Sequence, residues 1–365
     1  MNRVTIHTLA LAIQAQQPLI TVGGPGIGKT EVTYAVCRAL ARKCRVIPAA
    51  IYGQEDIGGF PAPDFDRGYV RMLPNDALFH GLEDGDVVFW DELNQADEHK
   101  QGALMRVILE NRAGSHQLPK VSHIAAINPP EMSAGGSDIA PPMANRFMWM
   151  NWHVDPIGWC NGALKGFPDP EVPTLPNVWK SLVPMQLALV TGYIRARQDV
   201  LNKYPKSHAE ACGPWASPRT WTYVAKMDAA VQASGLDDDV RLNCFAGLIG
   251  NAQAIEYLTY LRELDLPDVE ELLAAPSKFK LPSRGDQRYA VMASVVGAVV
   301  RHFSDDRYVS AWKIFDKARD GGAGDIVVAS VPSLAAMHNK LKGKGPQKEI
   351  EAFLPLLKRA GIIAS

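Results

Sequence analysis

The first part of the chain alternates short apolar runs with longer segments of helical periodicity. The apolar runs are typical of buried strands and cover residues 19–22, 45–51, 87–90 and 121–127. After the first run, Val32, Val36 and Leu40 recur at helical spacing. Because strands that alternate with helices form parallel sheets covered on both faces, we expect an α/β fold over roughly the first 150 residues.

The same patterns predict the remaining elements. An amphipathic helix is expected at the N-terminus, with Val4, Leu9, Leu11 and Ile13 as core positions. The Gly/Pro-rich segment 53–68 is predicted to be a loop with turns, and 155–184 a Pro-rich linker wrapped over the core. The other predictions are one arm of a small hairpin at 69–73, a short helix at 76–82, and longer helices at 97–112, 185–204, 218–234, 238–263 and 286–303.

The segment after the first predicted strand carries the most specific motif. Residues 23–30, GGPGIGKT, fit the phosphate-binding pattern G-x-x-x-x-G-K-[ST]. Glycines let the backbone N–H groups fold around phosphates, and the following helix directs its positive end toward them. The alternative is a Gly-rich structural turn with an incidental lysine. The predicted nucleotide-binding residues here are Gly23, Gly24, Pro25, Gly26, Ile27, Gly28, Lys29, Thr30 and Glu31.

Polar residues follow two of the later apolar strands. Asp91 and Glu92 come directly after the strand at 87–90, and Asn128 follows the strand at 121–127. Thr30 and Asp91 are predicted to hold Mg²⁺, Glu92 to polarise the attacking water, and Asn128 to position that water or sense the γ-phosphate. The simpler interpretations are an exposed acidic turn and an asparagine in a strand-end turn. Ligands in parallel sheets bind at the carboxyl ends of the strands, where all these residues should meet.

Composition and charge narrow the class of protein. The 365 residues contain 47% hydrophobic and 21% charged residues, as in ordinary globular chains. The chain has 38 Lys and Arg against 39 Asp and Glu, which argues against a generally basic surface for nucleic acid. The alternative of a local basic channel is not excluded by this balance. The 5 cysteines and 9 histidines show no metal-type spacing, so we expect reduced thiols in a cytoplasmic protein. No apolar run reaches the ~18 residues that a membrane span requires.

Taken together and in this order, five motifs resemble those of the AAA+ ATPases, in particular the MoxR branch and its dynein-related neighbours. They are GGPGIGKT (23–30), VVFWDELNQA (87–96), AAINPPE (125–131), APPMANRF (140–147) and ASPRTW (216–221). The resemblance implies a P-loop AAA+ core, a parallel sheet sandwiched by helices, followed by an all-α lid and a helical C-terminal extension. The implied division is a nucleotide-binding domain at 1–154, a linker and extra helical segment at 155–214, a lid at 215–284 and the extension at 285–365.

The resemblance also assigns roles to single residues. Asn128 matches the sensor-1 position, Arg146 the arginine finger that enters a neighbouring subunit's site, and Arg219 the sensor-2 arginine of the lid. Lys29 and Glu92 complete the implied catalytic set. The alternatives are a structural ion-pair partner for Arg146 and a surface arginine at a helix start for Arg219.

The implied function is Mg²⁺-dependent ATP hydrolysis by a ring, expected to be a homohexamer, that remodels or matures a partner protein. A partner with a von Willebrand factor A domain is implied by the family alone. Two other functions stay open: a nucleic-acid motor or loader, and a nucleotide-bound assembly scaffold with little turnover. Phe65 and Tyr69 are candidates for pore-facing aromatics, with packing inside the hairpin as the alternative. Tryptophans near the domain junction are expected to pack between sheet and lid rather than to stack on bases.

Overall fold

The computed structural model describes residues 2–132, 136–264, 266–342 and 345–359. These residues form two compact units, each assembled from separate stretches of the chain. The first contains the described residues of 1–173, 202–220 and 238–251, and the second those of 174–201, 221–237 and 252–365. The four-part division implied by the resemblance is not decided by this grouping and stays a prediction.

The first unit is built on a parallel sheet. Its strands pair side by side in the order β2-β5-β8-β1-β9, and every pairing is parallel. All six residues of β8 are buried, and successive side chains of a strand point to opposite faces, so both faces of this strand are covered. The predicted α/β class is therefore confirmed. The strands of the molecule are β1 (Leu19–Val22), β2 (Cys44–Pro48), β3 (Phe60–Asp64), β4 (Tyr69–Leu73), β5 (Val87–Asp91), β6 (Arg112–Ala113), β7 (His116–Gln117), β8 (Ser122–Ile127) and β9 (Met148–Asn151).

Helices lie between several of the strands and form most of the chain after β9. The largely helical second half agrees with the predicted class. The α-helices are α1 (Arg3–Ala15), α2 (Lys29–Ala39), α3 (Gln54–Gly58), α4 (Asp76–Phe79), α5 (Glu98–Glu110), α6 (Pro141–Ala144), α7 (Pro156–Lys165), α8 (Val183–Ala196), α9 (His208–Ala211), α10 (Pro218–Ala233), α11 (Asp238–Ile249), α12 (Asn251–Arg262), α13 (Val269–Ala274), α14 (Gly285–Arg301), α15 (Asp305–Asp320), α16 (Gly324–Ala335), α17 (Gln347–Glu351) and α18 (Leu354–Arg359).

The core of the first unit lies between the sheet and its helices. Trp90 of β5 and Phe147 before β9 are 0% and 1% exposed, and apolar residues of α5 pack into the same cluster. The N-terminal helix is confirmed as α1, in which Leu9, Leu11 and Ile13 are fully buried. Its partner in the same unit is α11, whose Asn243 Nδ2 donates to Thr8 Oγ1 at 3.0 Å.

The prediction of a loop with turns at 53–68 is wrong in part. Gly53 caps the start of α3, and Asp56 Oδ2 accepts the N–H of Gly53 at 2.9 Å. The following residues form β3, which pairs antiparallel with β4 and so supplies the second arm of the predicted hairpin. The sequence of β3 contains two prolines, which a two-stranded ribbon tolerates because each strand has an edge that needs no N–H donor.

The Pro-rich linker prediction is also wrong in part. Asp155 caps α7, accepting the N–H of Gly158 at 2.9 Å, and Pro156 takes the first helical position. Proline suits that position because its missing N–H would have no helical partner anyway. In α7, Trp159 is 61% exposed, so packing does not account for this tryptophan within its unit.

The second unit is all-helical within the described residues. Tyr193 of α8 lies among Trp221 of α10 and Tyr257 and Tyr260 of α12, with ring centroids 5.0–5.7 Å from its own. An ion pair and hydrogen bonds join Arg307 of α15 to Glu270 of α13. No helix in the described part of the chain is long and apolar enough to cross a membrane.

Two predicted helices have different bounds. The segment predicted as one helix over 238–263 is two helices, α11 and α12, because Gly250 adopts φ +82 between them. The helix predicted over 185–204 ends at Ala196. Strand β9 was not predicted at all, since its sequence MWMN lacks a β-branched run.

Candidate nucleotide-binding site

The candidate site lies where three neighbouring strands of the sheet end. In the order of the sheet, β5, β8 and β1 stand side by side, and all three run parallel. Asp91 is the last residue of β5, Asn128 follows β8, and the glycine-rich loop follows β1. Because parallel strands place their carboxyl ends at one edge, the sequence-separated motifs meet there, as the strand assignments predict.

The loop from Gly23 to Gly28 needs glycine for two different reasons. Gly26 and Gly28 have φ values of +73 and +86, a backbone region that residues with a side chain rarely adopt. At Gly23 the reason is space, because an added Cβ would lie 2.6 Å from Ile27 Cδ1 and 3.0 Å from Trp152 Cβ. Around Gly26 and Gly28, no described heavy atom lies within 4 Å of an added Cβ, so the backbone there faces open space.

Helix α2 begins directly behind this loop. Gly28 caps it without a side-chain hydrogen bond in the described structure, so its first N–H groups have no capping side chain. Such a helix start attracts anions, both through these N–H groups and through the helix dipole. The backbone of the loop and the helix start together form a fitting cradle for phosphate groups.

Lys29 is held inside the loop. Its Nζ donates to the carbonyl oxygens of Gly23 and Gly24, at 2.6 and 2.8 Å, and to Asn128 Oδ1 at 3.2 Å. Burial lowers the pKa of Lys29, while the charges of Asp91 and Glu92 act in the opposite direction. The ammonium group is thus positioned at the loop, next to the residue that follows β8.

Thr30 and Asp91 form an oxygen pair across the site. Thr30 Oγ1 donates to Asp91 Oδ2 at 3.3 Å, joining the start of α2 to the end of β5. A hydroxyl and a carboxylate are hard oxygen ligands, and Mg²⁺ is usually bound by one or two carboxylates together with water and substrate phosphates. These two residues therefore fit a Mg²⁺ ion that also contacts a bound nucleotide.

Glu92 occupies a strained backbone position beside that pair. Its φ is +51, which is uncommon for a residue with a side chain, and it is exposed. Its N–H donates to Asp91 Oδ1 at 3.0 Å. Strained residues of this kind cluster at functional sites, because the surrounding structure must stabilise them.

Asn94 supports the other side of the site and was missed by the sequence analysis. It is buried, its Nδ2 donates to Asn128 O at 3.1 Å, and its own carbonyl accepts the N–H of Ser137 at 2.7 Å. Asn94 thereby fixes the backbone of Asn128 relative to the turn after Glu92. Its place two residues after the acidic pair was the only sequence signal available.

A cavity of about 330 Å³ joins these groups. It is lined by Pro25, Gly26, Ile27, Gly28, Lys29, Thr30, Glu31, Asp91, Glu92 and Asn128. A larger cavity of about 460 Å³ lies beside α3, the β3–β4 hairpin and α5, and includes Arg106 and Arg112. Of these two cavities, only the one at the glycine-rich loop combines backbone donors at a helix start with a lysine and a hydroxyl–carboxylate pair.

Arg146 and Arg219 lie elsewhere in the first unit, outside the residues that line this cavity. Arg146 Nη1 donates to Pro142 O, and Arg219 Nη1 donates to Asn145 Oδ1 at 3.4 Å. Buried Asn145 also accepts from Ser217 Oγ at 2.8 Å and donates to Trp215 O at 3.2 Å. The structure thus brings the two predicted arginines to one neighbourhood through Asn145, which the sequence analysis did not single out.

Comparisons with known proteins identify no family for this chain. No family profile and no curated protein matches the chain. Among solved structures that match is the crystal structure of a “putative ATPase” from Cytophaga hutchinsonii, with 15% identity and a TM-score of 0.43. The match covers 71% of this chain and 88% of the other. A likeness of this size supports no conclusion about fold or activity, so the fold rests on the strand pairing and the chemistry of the site on its own residues.

Proposed function

We propose that this chain is a Mg²⁺-dependent ATPase of the AAA+ type. One observation carries the proposal: a glycine-rich loop, Lys29, the Thr30–Asp91 pair and Glu92 surround one cavity at the carboxyl edge of a parallel sheet. Each part has a separate role in phosphoryl transfer, and a structural turn would need neither the acidic pair nor the lysine in that place.

The chain's own residues account for the chemical step. When bound, Mg·ATP would supply the γ-phosphorus that water attacks, and the bond from that phosphorus to the bridging oxygen of the leaving ADP would break. Loop N–H groups and Lys29 would hold the phosphates and offset their charge, and Thr30 and Asp91 would hold the metal. Glu92, at the edge of the cavity, accepts the proton of the attacking water or orients it. Asn128, whose side-chain oxygen accepts a hydrogen bond from Lys29 Nζ, would align that water with the phosphate.

The further parts of the proposal rest on the family resemblance. A ring, expected to be a hexamer, would bring Arg146 of one subunit to the site of the next, and Arg219 would follow the nucleotide state as sensor 2. Turnover would then remodel a partner protein, with a von Willebrand factor A domain protein as the implied class. The two exposed aromatics of the hairpin fit such a role: Phe65 is 90% exposed and Tyr69 48%, so packing inside the hairpin does not bury them.

Steady-state ATP hydrolysis with and without Mg²⁺ tests the chemical step. Glu92→Gln should lower the rate by about 10²-fold or more while keeping nucleotide binding, because only the proton acceptor is removed. Lys29→Ala should lose both binding and turnover. The matched controls are Glu98→Gln and Lys43→Ala, two exposed residues that do not line the cavity.

Three outcomes separate the functions. Turnover lost in Glu92→Gln and kept in the controls supports the ATPase. ATP binding with no turnover in the unmodified protein, at any concentration and with candidate partners, would favour the scaffold. Stimulation by DNA or RNA, with binding that weakens steeply with salt, would favour the nucleic-acid motor.

A further inference from the structure

Three metal-binding side chains meet outside the nucleotide site. Asp138 lies in the loop before α6, His208 begins the short helix α9, and Cys212 directly follows that helix. One donor atom from each residue lies within 4.8 Å of the donors of the other two. None of the three lines the cavity described above, and the proposed ATPase chemistry uses none of them.

Two of the three donor separations are close to those around a tetrahedral ion. His208 Nε2 lies 3.5 Å from Cys212 Sγ and 3.7 Å from Asp138 Oδ2. With metal–ligand bonds of Zn²⁺ length, two donors of a tetrahedral site should be about 3.4–3.6 Å apart. These two separations come close to this value, and the third, between Cys212 Sγ and an Asp138 carboxylate oxygen, is within 4.8 Å.

The backbone on both sides of the cluster is held in place. On one side, Gln101 of α5 donates from Nε2 to Asp138 O at 3.0 Å and accepts the N–H of Ala140 at 2.8 Å. On the other side, Ser207 caps α9 by accepting the N–H of Glu210 at 3.2 Å, and Cys212 N donates to His208 O at 3.1 Å. His208 and Cys212 therefore sit one helical turn apart and face the same loop.

We propose that Asp138, His208 and Cys212 bind a divalent transition-metal ion, with Zn²⁺ as the best match. Thiolate and imidazole ligands select Zn²⁺ over Mg²⁺, in contrast to the hydroxyl–carboxylate pair of Thr30 and Asp91. Three protein ligands leave a fourth tetrahedral position for water. Bound metal would connect the loop before α6 to α9 through the side chains of Asp138, His208 and Cys212.

Co²⁺ is a suitable probe, because a cobalt–thiolate bond gives a near-ultraviolet charge-transfer band that oxygen and nitrogen ligands do not give. The full chain, stripped with a chelator, is titrated with Co²⁺ in excess Mg²⁺, which occupies hard oxygen sites. We expect the thiolate band to saturate at one ion per chain and Zn²⁺ to abolish it. Zn²⁺ should also raise the thermal unfolding temperature of the chelator-treated protein, since it binds only the folded arrangement.

Two variants and one control decide the outcome. Cys212→Ser should lose the band, and Asp138→Asn should weaken Co²⁺ binding by about 10-fold or more, by analogy with losses measured even for outer-shell residues. Cys160→Ser, which removes an exposed thiol of α7, should change neither the thiolate band nor the affinity for Co²⁺. Asp138 is exposed, so its variant should fold even if Cys212→Ser does not.

Opposite results would overturn the proposal. The absence of a thiolate band in the unmodified protein would leave the approach of His208 to Asp138 as an ordinary surface contact without a metal. A band that survives in Cys212→Ser, or that disappears in Cys160→Ser, would assign the metal to another thiol. None of these results would affect the proposed ATPase, whose residues lie elsewhere and whose Mg²⁺ dependence is measured separately.

Discussion

His123 shows how one buried side chain makes the first unit sensitive to acid. It lies on the central strand β8 and is 3% exposed. Trp90 Nε1, which can only donate, donates to His123 Nδ1 at 3.2 Å, and His123 Nε2 contacts Asn111 Oδ1 at 3.0 Å. Both ring nitrogens are thus used by the neutral imidazole, with its proton on Nε2. Burial lowers the pKa of His123 to about 3.

The free energy of unfolding should therefore decrease below about pH 6.5, the ordinary pKa of histidine. Below that pH, His123 binds a proton in the unfolded chain but stays neutral in the folded protein. The contribution of neutral His123 to the free energy of unfolding is therefore complete above pH 6.5 and is lost as the pH falls toward 3. The slope due to His123 is at most about 1.4 kcal/mol per pH unit.

Urea unfolding at several pH values measures this slope. His123→Gln should flatten it, whereas His116→Gln, at an exposed position, should leave it unchanged. An equal slope in the His123 variant would assign the acid sensitivity to other groups, such as carboxylates.

At the scale of elements, the contact of α11 with β9 depends on one glycine. A Cβ added at Gly247 would lie 2.1 Å from Trp149 O and 3.0 Å from Met148 Cγ. The helix therefore packs directly on the strand backbone, which only a residue without a side chain allows. Gly102 of α5 is a matched contrast, since no described heavy atom lies within 4 Å of an added Cβ there.

Gly247→Ala should destabilise the protein by about 1–3 kcal/mol, the usual cost of overpacking. Gly102→Ala should stabilise it by about 0.5–1 kcal/mol, because alanine loses less conformational freedom in a helix. Chemical denaturation followed by circular dichroism gives both values. If Gly247→Ala proved as stabilising as Gly102→Ala, the close approach of α11 and β9 would be wrong.

Elements also show where sequence reasoning fails. The prolines and glycines of β3 and α7 indicated loops, but an edge strand and the first turn of a helix both accommodate proline. In contrast, the break at Gly250 depends on a backbone angle that no hydrophobic pattern records.

For the whole molecule, the chain is nearly neutral, with a net charge of −1. A nucleic-acid motor would gain affinity from many phosphate contacts, and the overall charge does not favour this. A ring whose sites are shared between subunits has no such requirement. In such a ring, Arg146 would reach a neighbouring active site only after the subunits assemble, so its proposed role is tested by measuring assembly.

Light scattering of Glu92→Gln with and without Mg·ATP tests the ring, because this variant should bind ATP without hydrolysing it. We expect the mass to rise to about six subunits, a number implied by the family resemblance. The double variant Glu92→Gln with Arg146→Ala should not assemble, whereas Arg106→Ala in the same background should. A monomer or dimer that binds ATP but never assembles would make Arg146 a structural residue.

The sequence alone indicated the motifs of the candidate site and four of the five strands of the parallel sheet. The GGPGIGKT segment, the Asp91–Glu92 pair and Asn128 are short motifs beside apolar runs, and such motifs are local enough to be recognised from residue types and spacing. The parallel sheet followed from the alternation of strands and helices, and the edge at which the motifs meet followed from the parallel direction.

Only the tertiary structure decided which distant residues touch. Asn94 and Asn145 act through hydrogen bonds to groups far along the chain, and Asp138 meets His208 and Cys212 across 70 residues. No rule of sequence spacing predicts the cluster of Asp138, His208 and Cys212, because His208 and Cys212 are a helical turn apart whereas Asp138 comes from a distant loop. Contacts of this kind depend on how elements pack, since burial and register, rather than neighbouring residues, bring the side chains together.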